Sequence, residues 1–174
     1  AGFGRPMIIS TGMGTLPEVH KAVQTIADKG VSELCLLHCT TQYPAKSHEI
    51  NLRAMIKLHS IFRCPVGYSD HTMIPFTPII AVAAGASIIE KHFTLSRDLK
   101  GPDHSASLQP DELAEMVSNL RLTEQILGSD EKKPTASERA MRNISRRSIV
   151  ARSKISASEE LALEKLAFKR PGTG

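Results

Sequence analysis

The sequence predicts an α/β fold made of four consecutive βα units around a parallel sheet. Three observations carry that prediction. β-type runs recur at residues 7–11, 33–39, 65–69 and 87–93, and a stretch of helical periodicity follows each. Their spacing of roughly 20–30 residues is that of βα crossovers. A chain of 174 residues with 41% apolar content can bury one core, which excludes disorder as its main state. Such units form either an open sheet or half of a (β/α)8 barrel, and periodicity leaves both possible.

Each helix has its own punctuation. Thr15 and Glu18 make a capping box with Pro17 in the first turn, and Val19, Val23, Ile26 and Ala27 recur at helical spacing before Gly30 stops the helix. Asn51 is expected to cap a second helix whose Leu52, Met55, Ile56 and Leu58 share a face, closed before Pro65. A third, at about 78–84, is apolar all round, so burial on every side is expected. The fourth runs over 110–127 with Leu113, Met116, Val117 and Leu120 inward and Gly128 as its stop. Residues 1–128 are thus expected to form one domain. Residues 129–145 are polar, contain Pro134 and read as a linker, with Lys132 and Lys133 solvated. The remaining 146–174 hold a short β run at 148–152 and a helical turn at 159–166, too little for a second core.

Composition narrows the function. The 22 Lys+Arg exceed the 18 Asp+Glu by only four, and two Tyr, five Phe and no Trp offer no basic-aromatic surface for nucleic acid. An anionic small molecule suits that balance. The longest nearly apolar run, 79–89, is too short for a membrane span of about 20 residues. No basic-then-apolar leader opens the chain, which reads as no secretory signal. Cys35, Cys39 and Cys64 are odd in number without metal spacing, which suits a reducing cytoplasm.

Reactive groups on barrels and open α/β sheets gather at the C-terminal ends of strands. The first strand ends in Ser10-Thr11-Gly12-Met13, either an ordinary turn or a place where backbone approaches an anion. The second ends in His38-Cys39-Thr40-Thr41-Gln42-Tyr43-Pro44, whose hydroxyls serve an oxyanion or the loop backbone; His38 reads as a packed histidine. Ser69 and His71 share a face of the third strand, as do Glu90 and His92 on the fourth. Two histidines on neighbouring strand ends are either unrelated or converge on one divalent cation, whose shell water, substrate or a carboxylate completes. Asp70 and Glu90 are expected to orient imidazoles rather than to complete that shell. Asp103, in Gly101-Pro102-Asp103, lies either in a plain turn or beside a sugar.

Together these strings resemble the sialic acid synthase family. The words are ISTGM at 9–13, LLHCTTQYP at 36–44, EINLRAM at 49–55, GYSDHT at 67–72, GASIIEKHFTL at 85–95, GPDHSASL at 101–108 and FKRPGTG at 168–174. The resemblance implies the C-terminal half of a (β/α)8 TIM barrel (1–128), a linker (129–145) and the start of a small antifreeze-like (SAF) domain (146–174). The implied reaction is condensation of phosphoenolpyruvate with N-acetylmannosamine to N-acetylneuraminate and phosphate, with Mn2+ or Mg2+. Legionaminic and pseudaminic acid synthases are the near alternatives. By motif, His71 and His92 match metal ligands. Ser10, Thr41 and Ser69 match positions around phosphoenolpyruvate, with Thr41 standing where the family has Asn or Ser. Tyr43 and Asp103 match sugar contacts, and Arg170 an arginine delivered to the partner subunit of a domain-swapped homodimer. The family's first four strands, with its catalytic carboxylate and phosphate-binding lysines, have no counterpart, so no catalytic acid or base is assigned here and the chain alone is expected to be inactive. A rival of another class is a non-catalytic fragment that binds metal or a phosphorylated ligand.

Overall fold

The computed structural model describes residues 4–170. Four parallel strands, β1 (Met7–Ser10), β2 (Leu34–Cys39), β3 (Val66–Asp70) and β4 (Ile89–Lys91), pair in the order β1-β2-β3-β4. That order decides between the two architectures. A doubly wound sheet reverses its order at a switch point, whereas sequential right-handed crossovers put every helix on one face. Helices α1 (Leu16–Ala27), α2 (Arg53–Phe62) and α3 (Thr77–Ala83) send Val19, Met55 with Leu58, and Ala81 into one buried cluster with Leu36, Val66 and Tyr68. The result is a curled parallel half-barrel, with a helix-covered outer face and an inner, lumen face.

The capping box of α1 forms: Thr15 N–H donates to Glu18 Oε2 at 2.7 Å. Helix α4 (Pro110–Leu127) has the expected limits, and Gln109 N–H donates to Glu112 Oε2 at 2.8 Å. Three expectations need correction. Asn51 does not cap α2. It takes a left-handed φ of 49°, its Nδ2 donates to the Glu49 carbonyl, and Leu52 is the N-cap. Helix α3 buries Thr77, Pro78 and Ala81 but leaves Ile80 48% exposed, because only one side of a helix on an outer layer meets the sheet. Along α4, Leu113, Met116 and Leu120 are half-buried and Val117 is exposed, so the helix packs by a narrower stripe than its sequence offers.

Two compact units divide the chain, Ala1–Gly128 and Ser129–Gly174. The second contains α5 (Ala136–Ser145) and an antiparallel pair, β5 (Ser148–Ala151) and β6 (Leu166–Lys169). The stretch read as linker therefore carries a helix. Thr135 starts it: its Oγ1 accepts from Glu138 N and its N–H donates to Glu138 Oε2, directly after Pro134. The helical turn expected at 159–166 is a single 3-10 turn, Leu163–Lys165. Among the described residues of this unit none is buried. No helix among the described residues is long and apolar enough to cross a membrane.

Candidate active site

The polar residues gather where strand pairing ends. Ser69 stands opposite Glu90 and Asp70 opposite Lys91, and the β3–β4 ladder stops there. On the lumen face Ser69 Oγ donates to Glu90 Oε1 at 2.6 Å. His71, 8% exposed, lies one step further, with its ring edge-on to that of His92 and the centroids 5.2 Å apart.

The loop after β2 holds His71 at two points. Ala45 N–H donates to the His71 carbonyl at 2.8 Å, and His71 Nδ1 lies 2.8 Å from the Thr40 carbonyl. A carbonyl only accepts, so Nδ1 carries the proton and a neutral ring keeps the lone pair of Nε2. Ser69 Oγ is 3.3 Å from that Nε2, but its proton goes to Glu90. The same loop lays Tyr43 across both imidazoles, 4.3 Å from His71 and 5.3 Å from His92 between ring centroids. His92 is held by its backbone, whose carbonyl accepts from Leu108 N–H at 2.9 Å.

Gly12 lets the end of β1 approach the end of β2. A Cβ there would clash with Thr41 Oγ1 and stand 2.7 Å from Cys39 Sγ. Thr11 adds two bonds to the Leu37 carbonyl, from N–H and from Oγ1, both 2.9 Å. Burial pushes the Cys39 thiol up and the Glu90 charge adds to it, so the sulfur stays protonated at neutral pH.

Ser69, His71, His92 and Tyr43 thus form one cluster. Thr41 and Ser10, both exposed, lie at neighbouring strand ends and, among the described residues, do not bond to it. Asp103 is exposed on the loop after β4, which Thr94 Oγ1 and His104 Nδ1 close at 2.7 Å; its carboxylate bonds none of the cluster among the described residues. Arg170 is exposed after β6 in the second unit, and the last four residues of its motif lie outside the described residues. His38 is a packed histidine, its Nε2 2.7 Å from the Ile50 carbonyl. Neither carboxylate orients an imidazole: Glu90 holds Ser69, and Asp70 pairs with Lys91 on the opposite face. The Thr40 carbonyl takes the orienting role, and no side-chain reading could find a backbone acceptor. Among the described residues no three His, Cys, Asp or Glu converge as a metal shell, so the two imidazoles supply part of one at most. Their chemistry fits that part, since the His71 tautomer leaves a nitrogen lone pair free for a cation.

The comparisons with known proteins agree in direction. Residues 1–132 match the model of the NeuB family. An uncharacterised protein of Methanocaldococcus jannaschii is 48% identical over all of this chain and 52% of its own length. The N,N'-diacetyllegionaminic acid synthase of Legionella pneumophila is 46% identical over 97% of this chain and 49% of its own. Among solved structures, the N-acetylneuraminic acid synthetase of Leptospira borgpetersenii superposes with a TM-score of 0.74 at 39% identity, over 80% of this chain and 48% of that one. The chain therefore spans about half the length of the curated relatives it matches. With its family model matched over the whole half-barrel, this chain belongs to the NeuB family, the sialic acid synthase family that its strand-end motifs resemble.

Proposed function

We propose that this chain is half of the barrel of a synthase that condenses phosphoenolpyruvate with N-acetylmannosamine, or a related amino sugar, to give N-acetylneuraminate or its analogue and phosphate. The observation that carries the reading is the cluster of Tyr43, Ser69, His71 and His92 at adjoining strand ends. His71 and His92 hold a divalent cation, Mn2+ or Mg2+, and Thr40 keeps the His71 ring in the required tautomer. When bound, the cation supplies Lewis-acid polarisation of the sugar carbonyl. Ser10 and Thr41 donate to the oxygens of phosphoenolpyruvate, because small hydroxyls reach an anion without bulk, and Ser69, held by Glu90, lines the same site. Tyr43 and Asp103 contact the sugar. Residues 146–174 open an antifreeze-like domain, and Arg170 reaches the barrel of the partner subunit in a cytoplasmic homodimer. The 174-residue chain alone is inactive in this reading, since the acid and base and half of the phosphate site belong to the other half of the barrel.

The 46% identity to a legionaminic acid synthase favours a second acceptor reading, in which the sugar differs and the donor does not. Phosphate release by the full-length protein, measured with phosphoenolpyruvate and a panel of N-acetylated and diacetamido sugars, tests both. One acceptor should give turnover that EDTA abolishes. Failure with every acceptor would leave the non-catalytic binding reading in its place.

A further inference from the structure

On the helix face of the sheet, directly behind the two imidazoles, Lys91 Nζ lies 2.9 Å from Asp70 Oδ2, and the two side chains are 4% and 0% exposed. We infer that this buried ion pair is the positioning device of the histidine pair and sets how far apart His71 and His92 stand. The inference rests on the reading of those histidines as metal ligands.

Three observations carry it. First, Asp70 and Lys91 form the last residue pair of the β3–β4 ladder, and each immediately precedes one histidine. No backbone ladder ties the two strands past that point, so the ion pair is the final cross-strand link before the imidazoles. Second, the pair grips Thr72, the residue after His71, at both ends of its backbone. Asp70 Oδ1 accepts from Thr72 N–H at 2.9 Å, and Lys91 Nζ donates to the Thr72 carbonyl. The peptide carrying His71 is therefore bracketed between two anchored residues. Thr72 is itself fully buried, with Oγ1 3.2 Å from Thr77 Oγ1 at the start of α3, so the anchor is tied to a helix as well as to the two strands.

Third, stability is a poor reason for such a pair. Desolvating two charges offsets most of their attraction, and apolar residues of similar volume serve a fold as well or better. What the pair supplies is a fixed distance and direction between two strands. The sheet separates it from the lumen, so it touches no substrate and acts only through the histidines.

The test uses the full-length protein and Mn2+ alone, with free Mn2+ read by electron paramagnetic resonance and bound nitrogen by its hyperfine coupling. The double variant Asp70→Leu/Lys91→Met replaces the charges by apolar bulk but also leaves the buried Thr72 N–H and carbonyl unpaired, so it should fold with a lowered melting temperature. It should bind Mn2+ about 10–100-fold more weakly, the range seen when groups that orient metal ligands are lost. Its nitrogen coupling should fall from two histidines to one. Wild-type affinity with two coupled histidines in that variant overturns the inference while leaving the metal reading standing. Unchanged affinity in His71→Ala and His92→Ala overturns the metal reading itself, and the inference with it. Should the double variant not fold, Asp70→Asn decides on the same scale. It keeps the size and an acceptor for Thr72 N–H, so weaker binding supports the inference and unchanged binding overturns it.

Discussion

On the helix face of the sheet, Leu36, Val66 and Tyr68 are at most 3% exposed and pack with Met55, Leu58 and Ala81. On the lumen face, at the ends of β3 and β4, stand Ser69, His71, Glu90 and His92, joined by hydrogen bonds and ring contacts rather than by apolar packing. Strand geometry makes the division, because successive side chains point to opposite faces. The lesson is that stability and chemistry are interleaved in sequence yet separated in space. A slip of one residue in β3 or β4 would exchange them. Lower in the lumen the division softens, where Leu37 fills the space beside Gly67 and only the upper layer is polar.

The largest expected effect lies on the lumen face. His71→Ala or His92→Ala in the full-length protein should lower metal-dependent phosphate release by a factor on the order of 10³, several kcal/mol of barrier, and leave thermal melting nearly unchanged. Full activity of either variant in excess EDTA would break the comparison, since the histidines would then be structural.

Next comes the helix face. Leu36→Ala should cost about 2–5 kcal/mol of unfolding free energy in a urea titration, with the KM values of the folded fraction unchanged. A selective rise in one KM would mean that the core face also shapes the site.

Gly67→Ala tests the boundary between the two layers. The new Cβ would meet the Ile88 carbonyl oxygen at 2.5 Å and Leu37 Cδ2 at 2.6 Å, and the backbone atom cannot step aside. Overpacking of about 1–3 kcal/mol is expected in the same titration. Gly12→Ala presses on the short Thr41 side chain instead, which can rotate, so it should raise the KM for phosphoenolpyruvate more than it lowers stability.

The smallest effect concerns neither face. Hydrogen bonds from Thr15 hold Glu18 below its ordinary 4.5, the Gln109 N–H and then Arg97 do so for Glu112, and Thr135 does so for Glu138. A carboxylate lowered by folding contributes stability above its unfolded value, and that stability is lost as pH falls through the folded one. Melting temperature should therefore drop as pH falls below the ordinary carboxylate value of 4.5, and Glu18→Gln should flatten that slope. An unchanged slope in this variant would show that the cap makes no titrating contribution.

Much of this was readable along the chain. Thr15 with Glu18, and Pro110 through Leu127 before Gly128, mark helix ends with signals that lie within four residues of the feature they cause. Alternation alone puts Ser69 with His71, and Glu90 with His92, on shared faces. The Thr135–Glu138 box is of the same local kind, set in a charged stretch whose composition resembles a linker.

The βα units, most of their capped ends and the residue types offered at each strand end follow from local sequence alone. The tertiary structure alone decided that the strands run in sequential order and curl, that Ile80 and Val117 face outward, and that Thr40 orients His71. It also decided that Asp70 turns to Lys91 while Glu90 turns to Ser69. The physical reason is range. Caps and alternation follow from neighbouring dihedrals, whereas a cross-strand partner 21 residues away depends on register, and register is set by how whole faces pack.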